Sequence, residues 1–313
     1  MTVQPGTIVA LSTEDCFAGK VRGLNDLPSQ VCTFPFLNPV TGPVAVEGAQ
    51  PGDTLAVHFV DIVPARDWAV SATFPQFGAL TTTTHTAMLH EPLEERVWVY
   101  DIDVTAGVCR FRARNSEFTI ELPLDPMHGT VGVAPAANEV IMSITPSAHG
   151  GNMDTPELRV GTTAYFGVNV PGAMLSIGDG HARQGEGEVC GTAVEAAMNT
   201  VVVVDLIKGC APPSPRLESD DFLITTGSAR PLEDAYRMSQ LDLVTWAGSL
   251  LELDRLDAYQ LVSQTGLAPA GNVVDTNYTM VGKLAKSLFG GRQAYDGMHD
   301  RLAAVGAEYL RVR

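Results

Sequence analysis

Alternating apolar residues, in short runs broken by Gly and Pro, fill the chain to about residue 210, and helical spacing begins only beyond residue 228. Strands followed by helices exclude an alternating βαβ architecture and predict an all-β or α+β chain. The thirty Gly and twenty Pro supply the many turns such a chain needs. The clearest piece is "VAVEGAQPGDTLAVHFVDIVP". Val44 and Val46, then Leu55, Val57 and Phe59, alternate around a Pro-Gly-Asp turn, which predicts a hairpin or a tight strand connection. "RVWVYDIDV", "VCRFRARN" and "EFTIELPL" read as three strands, and "GEVCGTAVEAAMNTVVVVDLIKG" as one or two more. Residues 64 to 95 read as a long loop carrying a short strand. Beyond residue 228, Leu232, Tyr236, Leu243 and Val244 mark one helix. "LDRLDAYQLVSQTG" marks a second that stops at Gly266, and "YDGMHDRLAAVGAEYLRV" a third.

The 313 residues suit one large domain or two intimately packed parts, with a β-rich catalytic core over 1–220 and a helix-containing part over 221–313. A net charge of −16 without a basic cluster speaks against a nucleic-acid partner. No glycine-rich nucleotide fingerprint follows a strand. Five widely spaced cysteines, Cys16, Cys32, Cys109, Cys190 and Cys210, form neither a disulfide framework nor a zinc cage, so free thiols in a cytoplasmic protein are expected. No apolar run is long enough to span a bilayer, and no leader peptide is visible.

The chemistry-bearing residues concentrate in "SIGDGHARQGEGEVCG". Asp179 and His181 stand two apart, so an extended backbone would turn both to one side, as a compact chelate for a divalent metal. A polar loop tip is the competing reading. Gln184, Glu186 and Glu188 alternate with Gly185 and Gly187 and would share one strand face. Glu188, at the edge of an apolar stretch, would carry a raised pKa suited to proton transfer. "SAHGGN" offers His149 as a metal ligand or general acid–base, Asn152 beside it, and the amides of Gly150 and Gly151 as an anion-binding concavity. A surface turn is the alternative there. Asp15 ends the opening strand, and Glu47 sits in an apolar strand, either exposed or paired inside. His85, His90 and His128 read as structural. Cys190, two residues beyond Glu188, reads as a buried inert thiol rather than a nucleophile, and no GxSxG is present.

Taken in order, "NPVTGPVAVEGAQPGDTLAV", "HGTVGVAPA", "HGGNMDTPEL", "SIGDGHARQGEGEVCGTAVE" and, more loosely, "DAYQLVSQTG" resemble the acetamidase/formamidase family. The resemblance implies a mainly β fold of jelly-roll-like sheets packed together, with smaller α/β elements and helices toward the C-terminus. It implies hydrolysis of short aliphatic amides to a carboxylate and ammonia, with a divalent metal, zinc or calcium, at the site. Carried over residue by residue, it falls on His149, Gly150, Gly151, Asn152, Asp179, His181, Gln184 and Glu188.

The expected enzyme binds a small neutral amide. Asp179 and His181, with Asp15 or His149, hold the ion, Glu188 moves the proton, and His149 and Asn152 assist. Gly150, Gly151, Gln184 and Glu47 contact the oxyanion or the substrate. Two rivals stand beside it: a cysteine hydrolase using Cys190 with Glu188, and a non-catalytic metal- or ligand-binding β protein. Exposed strand edges of β-rich enzymes are often covered by a second subunit, so a homo-oligomer is expected, with no membrane partner.

Overall fold

The computed structural model describes residues 1–81 and 93–312; His85 and His90 lie outside them. The chain is mainly β, and its described strands form three sheets. The largest has eight strands in the spatial order Ala270–Asn272, Tyr278–Ala285, Phe222–Ala229, Arg216–Glu218, Thr163–Gly167, Thr54–Pro64, Met198–Ile207 and Thr7–Thr13. A five-stranded sheet orders Thr2–Val3, Val40–Val46, Leu175–His181, Met127–Gly132 and Gly150–Asn152. The third is the meander Trp68–Thr73, Arg96–Asp103, Val108–Arg112 and Thr119–Pro123.

The main core lies between the eight- and five-stranded sheets. Leu55, Val57 and Phe59 from one pack with Val131, Leu175 and Ile177 from the other, all essentially without solvent exposure. This explains the "VAVEGAQPGD" segment. Its two strands do not pair as a hairpin: Val40–Val46 joins the five-stranded sheet, whereas Thr54–Pro64 is central to the larger one. The turn is a tight corner between layers, so alternation places apolar side chains toward the shared core from both sides. "MNTVVVVDLI" forms one strand, hydrogen-bonded on both edges to Thr7–Thr13 and Thr54–Pro64, which accounts for its β-branched run.

The expected boundary near residue 220 runs through the large sheet, where Arg216–Glu218 pairs with Phe222–Ala229. The helices Leu232–Leu251, Arg255–Thr265 and Met298–Arg311 follow as predicted, and Asp254 caps the second by accepting from the amides of Leu256 and Asp257. The buried face of the first helix differs from the expected one. Leu243 and Val244 are inside, but Leu232 and Tyr236 are exposed, and the small residues Ala235 and Ser239 face the sheet instead. The Ser239 carbonyl accepts from Thr225 Oγ1 at 2.7 Å, an approach that excludes a large side chain there. No helix among the described residues is long and apolar enough to cross a membrane.

Candidate active site

Where the five-stranded sheet meets the meander, a cavity of about 490 Å³ reaches inward from the surface. Its floor carries Asn38, Asn152, Asp179, Glu188, Glu195 and Asp275. The strand Leu175–His181 delivers Asp179 and His181. Asp179 adopts a left-handed backbone (φ 53°), as does Glu188 (φ 48°), a cost that clusters where side chains must be aimed. Glu195 enters at a seam, because its backbone bridges both Val70 of the meander and His181 of the central strand.

Gln184 fixes the state of His181. The Gln184 amide donates through Nε2 to the carbonyls of Asp154 and Gly271, so its Oε1 must accept from His181 Nδ1, at 2.9 Å. That leaves Nε2 facing the carboxylates, 3.2 Å from Glu195 Oε2 and 3.4 Å from Asp179 Oδ1. Burial opposes a charge on His181, yet Glu195 and Asp179 outweigh it and hold its pKa well above the usual range.

Asn152 is the hub of the floor. Its Oδ1 accepts from Asn38 Nδ2 at 3.0 Å and from Thr130 Oγ1, and its Nδ2 donates to Asp154 Oδ2 at 2.6 Å and to Asp275 Oδ2 at 2.7 Å. Asn38 Nδ2 also reaches Asp179 Oδ2 at 3.0 Å. The glycines before Asn152 are needed for this delivery. Gly150 and Gly151 have φ of 95° and 89°, and a Cβ on either would collide with the carbonyl of Val131 or Thr145. Gly129 passes directly under the cluster, where a Cβ would overlap Asp154 Oδ1 and Asp179 Oδ2.

Among the described residues, five carboxyls thus surround one imidazole, and no Lys or Arg lines the cavity. Burial first, then the neighbouring acids, raises Glu188 and Asp154 well above the carboxylate range, and burial raises Glu195 despite His181. Burial lifts Asp275 to about 7, against the Asn152 amide that favours its charged form. Asp154 Oδ1 is buried without a hydrogen-bond partner, and Asp179 Oδ1 and Glu195 Oε2 have only His181 Nε2 beside them. Asp154, His181 and Glu188 present ligand atoms within 4.8 Å of one another, as do Cys16, Asp179 and Glu195. A buried carboxylate oxygen without a partner, an imidazole fixed with its Nε2 inward, and five carboxyls around that one ring together fit a divalent cation, which would take the place of the Nε2 proton.

The charge balance predicts a pH effect on stability. Asp275 has an ordinary pKa near 4 when unfolded and about 7 when folded. A carboxyl raised on folding contributes fully at low pH, and that contribution is lost as pH rises through the folded value. In chelator, the melting temperature is expected to fall between about pH 4 and about pH 7, and a divalent cation should flatten the decline. A melting temperature that holds steady across that window in chelator would contradict the assignment.

Several expected site residues lie elsewhere. Glu47 is exposed and pairs with Gln4. Asp15 is buried, but its carboxylate accepts from the amides of Phe17 and Gly19 and meets Arg66 at 3.2 Å, so it shapes the turn that presents Cys16 instead of serving as a ligand. His149 is buried with Nδ1 unpartnered and is not among the residues lining the cavity. The Gly150 amide donates to the Ser147 carbonyl, and neither it nor Gly151 lines the cavity, so the concavity expected there does not form. Gln184 positions His181 and is not a lining residue. Residues 184–191 form turns, not a strand, because Gly187 takes a φ of 79° and pairs with the Ala270–Asn272 segment; Glu188 is buried and Glu186 exposed. Cys190 is exposed, with its thiol on the Thr192 carbonyl at 3.2 Å. His128 is structural as expected, its ring nitrogens bonded to the Gly178 carbonyl and Thr200 Oγ1.

Cys16, Asp154, Glu195 and Asp275 were not singled out from the sequence. Each stands without a glycine-flanked motif, and only Asp154 and Glu195 fall within segments that carry the family resemblance.

A mainly β protein with a buried carboxylate–imidazole cluster at the foot of an apolar cavity is the class defined by this fold and site. The family model described as "Acetamidase/Formamidase family" matches residues 1–137 and 113–231, and the chain belongs to that family. An acetamidase of Mycolicibacterium smegmatis is 29% identical over 259 residues, covering 66% of this chain and 63% of that protein, so this chain spans less than two thirds of it. The crystal structure of an acetamidase from Yersinia enterocolitica superposes with a TM-score of 0.86 at 41% identity, covering 92% of this chain and 86% of that one. An acetamidase structure from Bacillus halodurans gives 0.83 at 30% identity, covering 94% and 93%.

Proposed function

We propose that this chain hydrolyses primary carboxamides to a carboxylate and ammonia, with acetamide, after which its relatives are named, as the reference substrate. The carrying observation is the buried cluster of Asp154, Asp179, His181, Glu188 and Glu195 beneath a cavity open to a neutral ligand. A floor whose charged side chains are acids, beside the amides of Asn38 and Asn152, repels carboxylate substrates and releases a carboxylate product.

Resonance protects the amide carbonyl, and the amine leaves only once protonated. A divalent cation, zinc or calcium, held by the carboxylates and His181 Nε2 would supply a Lewis acid for the carbonyl and lower the pKa of water. Glu188 is the proton carrier. Its pKa, raised by burial and by its acidic neighbours, suits it to accept a proton from attacking water and to return it to the leaving nitrogen. As the water oxygen bonds to the carbonyl carbon, the C–N bond breaks and the protons pass to the departing amine. Gln184 holds the His181 tautomer, and Asn152 and Asn38 fix Asp154, Asp275 and Asp179. A homo-oligomer is part of the same reading, from the exposed edge strand Thr119–Pro123, and a cytoplasmic setting from the free cysteines.

Two observations disfavour the cysteine rival: the Cys190 thiol donates to the Thr192 carbonyl and is not among the described residues lining the cavity, and burial together with Glu195 and Asp179 keeps the Cys16 thiol protonated. The test is ammonia release from acetamide, with chelator, with restored zinc or calcium, and with a thiol alkylator. Loss in chelator and recovery with an ion are expected. Turnover that resists chelator and disappears on alkylation would replace this reading with the cysteine one.

A further inference from the structure

The cavity is far larger than the reaction demands. Acetamide occupies roughly the volume of three waters, ~90 Å³, whereas the cavity holds about 490 Å³. The excess is apolar and shaped. Phe17, Phe74 and Phe77 form a continuous wall, with ring centroids 6.0 Å apart for the first pair and 5.8 Å for the second, the latter edge-to-face at 89°.

The wall is held in place from both ends. Asp15 accepts from the Phe17 amide, fixing one end, and Phe77 lies on Gly191 so closely that a Cβ there would enter its ring. Leu37 and Ile144 extend the apolar lining. All the charged groups among the lining residues, Asp179, Glu188, Glu195 and Asp275, are acidic and lie at the floor. The three rings themselves offer no hydrogen-bonding group to a charged or strongly polar acyl chain.

We propose that the favoured substrate is a primary amide with an uncharged aromatic acyl group, of the arylacetamide class, and that Phe77 is a specificity-determining residue. This rests on the amide-hydrolase reading above. The carboxamide sits at the acidic floor, and the ring stacks offset or edge-on against Phe74 and Phe77, an arrangement that aromatic pairs favour. Acetamide reaches the floor as well but leaves the wall hydrated. Each apolar carbon that it lacks forgoes roughly a threefold to fourfold gain in binding.

The experiment compares kcat/KM for acetamide, propionamide, isovaleramide and phenylacetamide on the metal-loaded protein, with Phe77→Ala and Phe77→Leu alongside. The expected result is a rise along the series, with phenylacetamide at least ~30-fold above acetamide. The phenylacetamide-to-acetamide ratio should fall at least ~10-fold in Phe77→Ala, chiefly through KM, and recover in part in Phe77→Leu. Where Phe77→Ala misfolds, both substrates fall together and Phe77→Leu carries the comparison; an unchanged ratio in a folded variant overturns the role of Phe77. Acetamide turned over faster than phenylacetamide overturns the substrate class while leaving the amidase reading intact. Ammonia from none of the amides overturns that reading, and this inference with it.

Discussion

Glu188→Gln is expected to lower kcat for amide hydrolysis by about 10²–10⁴-fold while the melting temperature holds or rises. The two halves of this result have separate causes. Among the described residues, the Glu188 carboxyl receives no hydrogen bond from the protein, and its fixed position comes from its backbone: the left-handed φ and the Glu188 amide on the Gly185 carbonyl. Glutamine keeps that shape and breaks no bond. It also removes one acid from a cluster where Glu188, Glu195, Asp275 and Asp179 repel one another, which relieves the folded state. What it removes is the capacity to accept and return a proton, and the rate should lose its dependence on the pH limb that reports this group. Measured kcat, the pH–rate profile and a melting curve, all with added divalent cation, are sufficient. A variant that keeps more than about a tenth of the parent's turnover would exclude Glu188 as the proton carrier.

The legibility of this site followed the local chain and not its importance. Asp179, His181, Gln184, Glu188 and Asn152 could be read because glycines flank them, and a polar side chain on a bare backbone signals a close approach. The roles were less legible than the residues. Gln184 proved to orient His181, and Gly150 and Gly151 serve to bring Asn152 beside the Met127–Gly132 strand, not to bind an anion. Glu195 and Asp275 stand alone in ordinary sequence and join the site only through long-range topology. One arrives at a seam between two sheets, and the other comes from a segment 123 residues beyond Asn152. The strand-rich core was visible because period-two alternation is a local property. Which sheet each strand joins was not, so the turn after Val46 read equally well as a hairpin or a corner. The misread helix face has the same origin: close approach to the sheet favours Ala235 and Ser239 over Leu232 and Tyr236, and only the sheet's position reveals that.

The largest stability effect is expected at Asn152, where a near-isosteric change reverses the electrostatics. The Asn152 Nδ2 donates simultaneously to Asp154 and Asp275, while its Oδ1 accepts from Asn38 and Thr130. Asn152→Asp preserves the acceptor side and replaces the shared donor with an oxygen facing two carboxyls. In chelator near pH 8, the expected loss is ~3–5 kcal/mol, the usual cost of leaving buried charge uncompensated, and the melting temperature should drop on the order of 10 °C. Asn152→Ala removes the donor without adding a charge and should cost less, about 1–3 kcal/mol. The order Asp worse than Ala separates electrostatics from packing, since packing alone predicts the reverse. The sign of the pH effect provides the second check. Protonation gives the introduced carboxyl an O–H that can donate to one of its neighbours, so the Asp variant should regain stability relative to the parent as pH falls toward about 5. If Asn152→Ala proves the more damaging change, or if the deficit of the Asp variant does not vary with pH, then the amide serves as packing and the acids of the floor are not held by it.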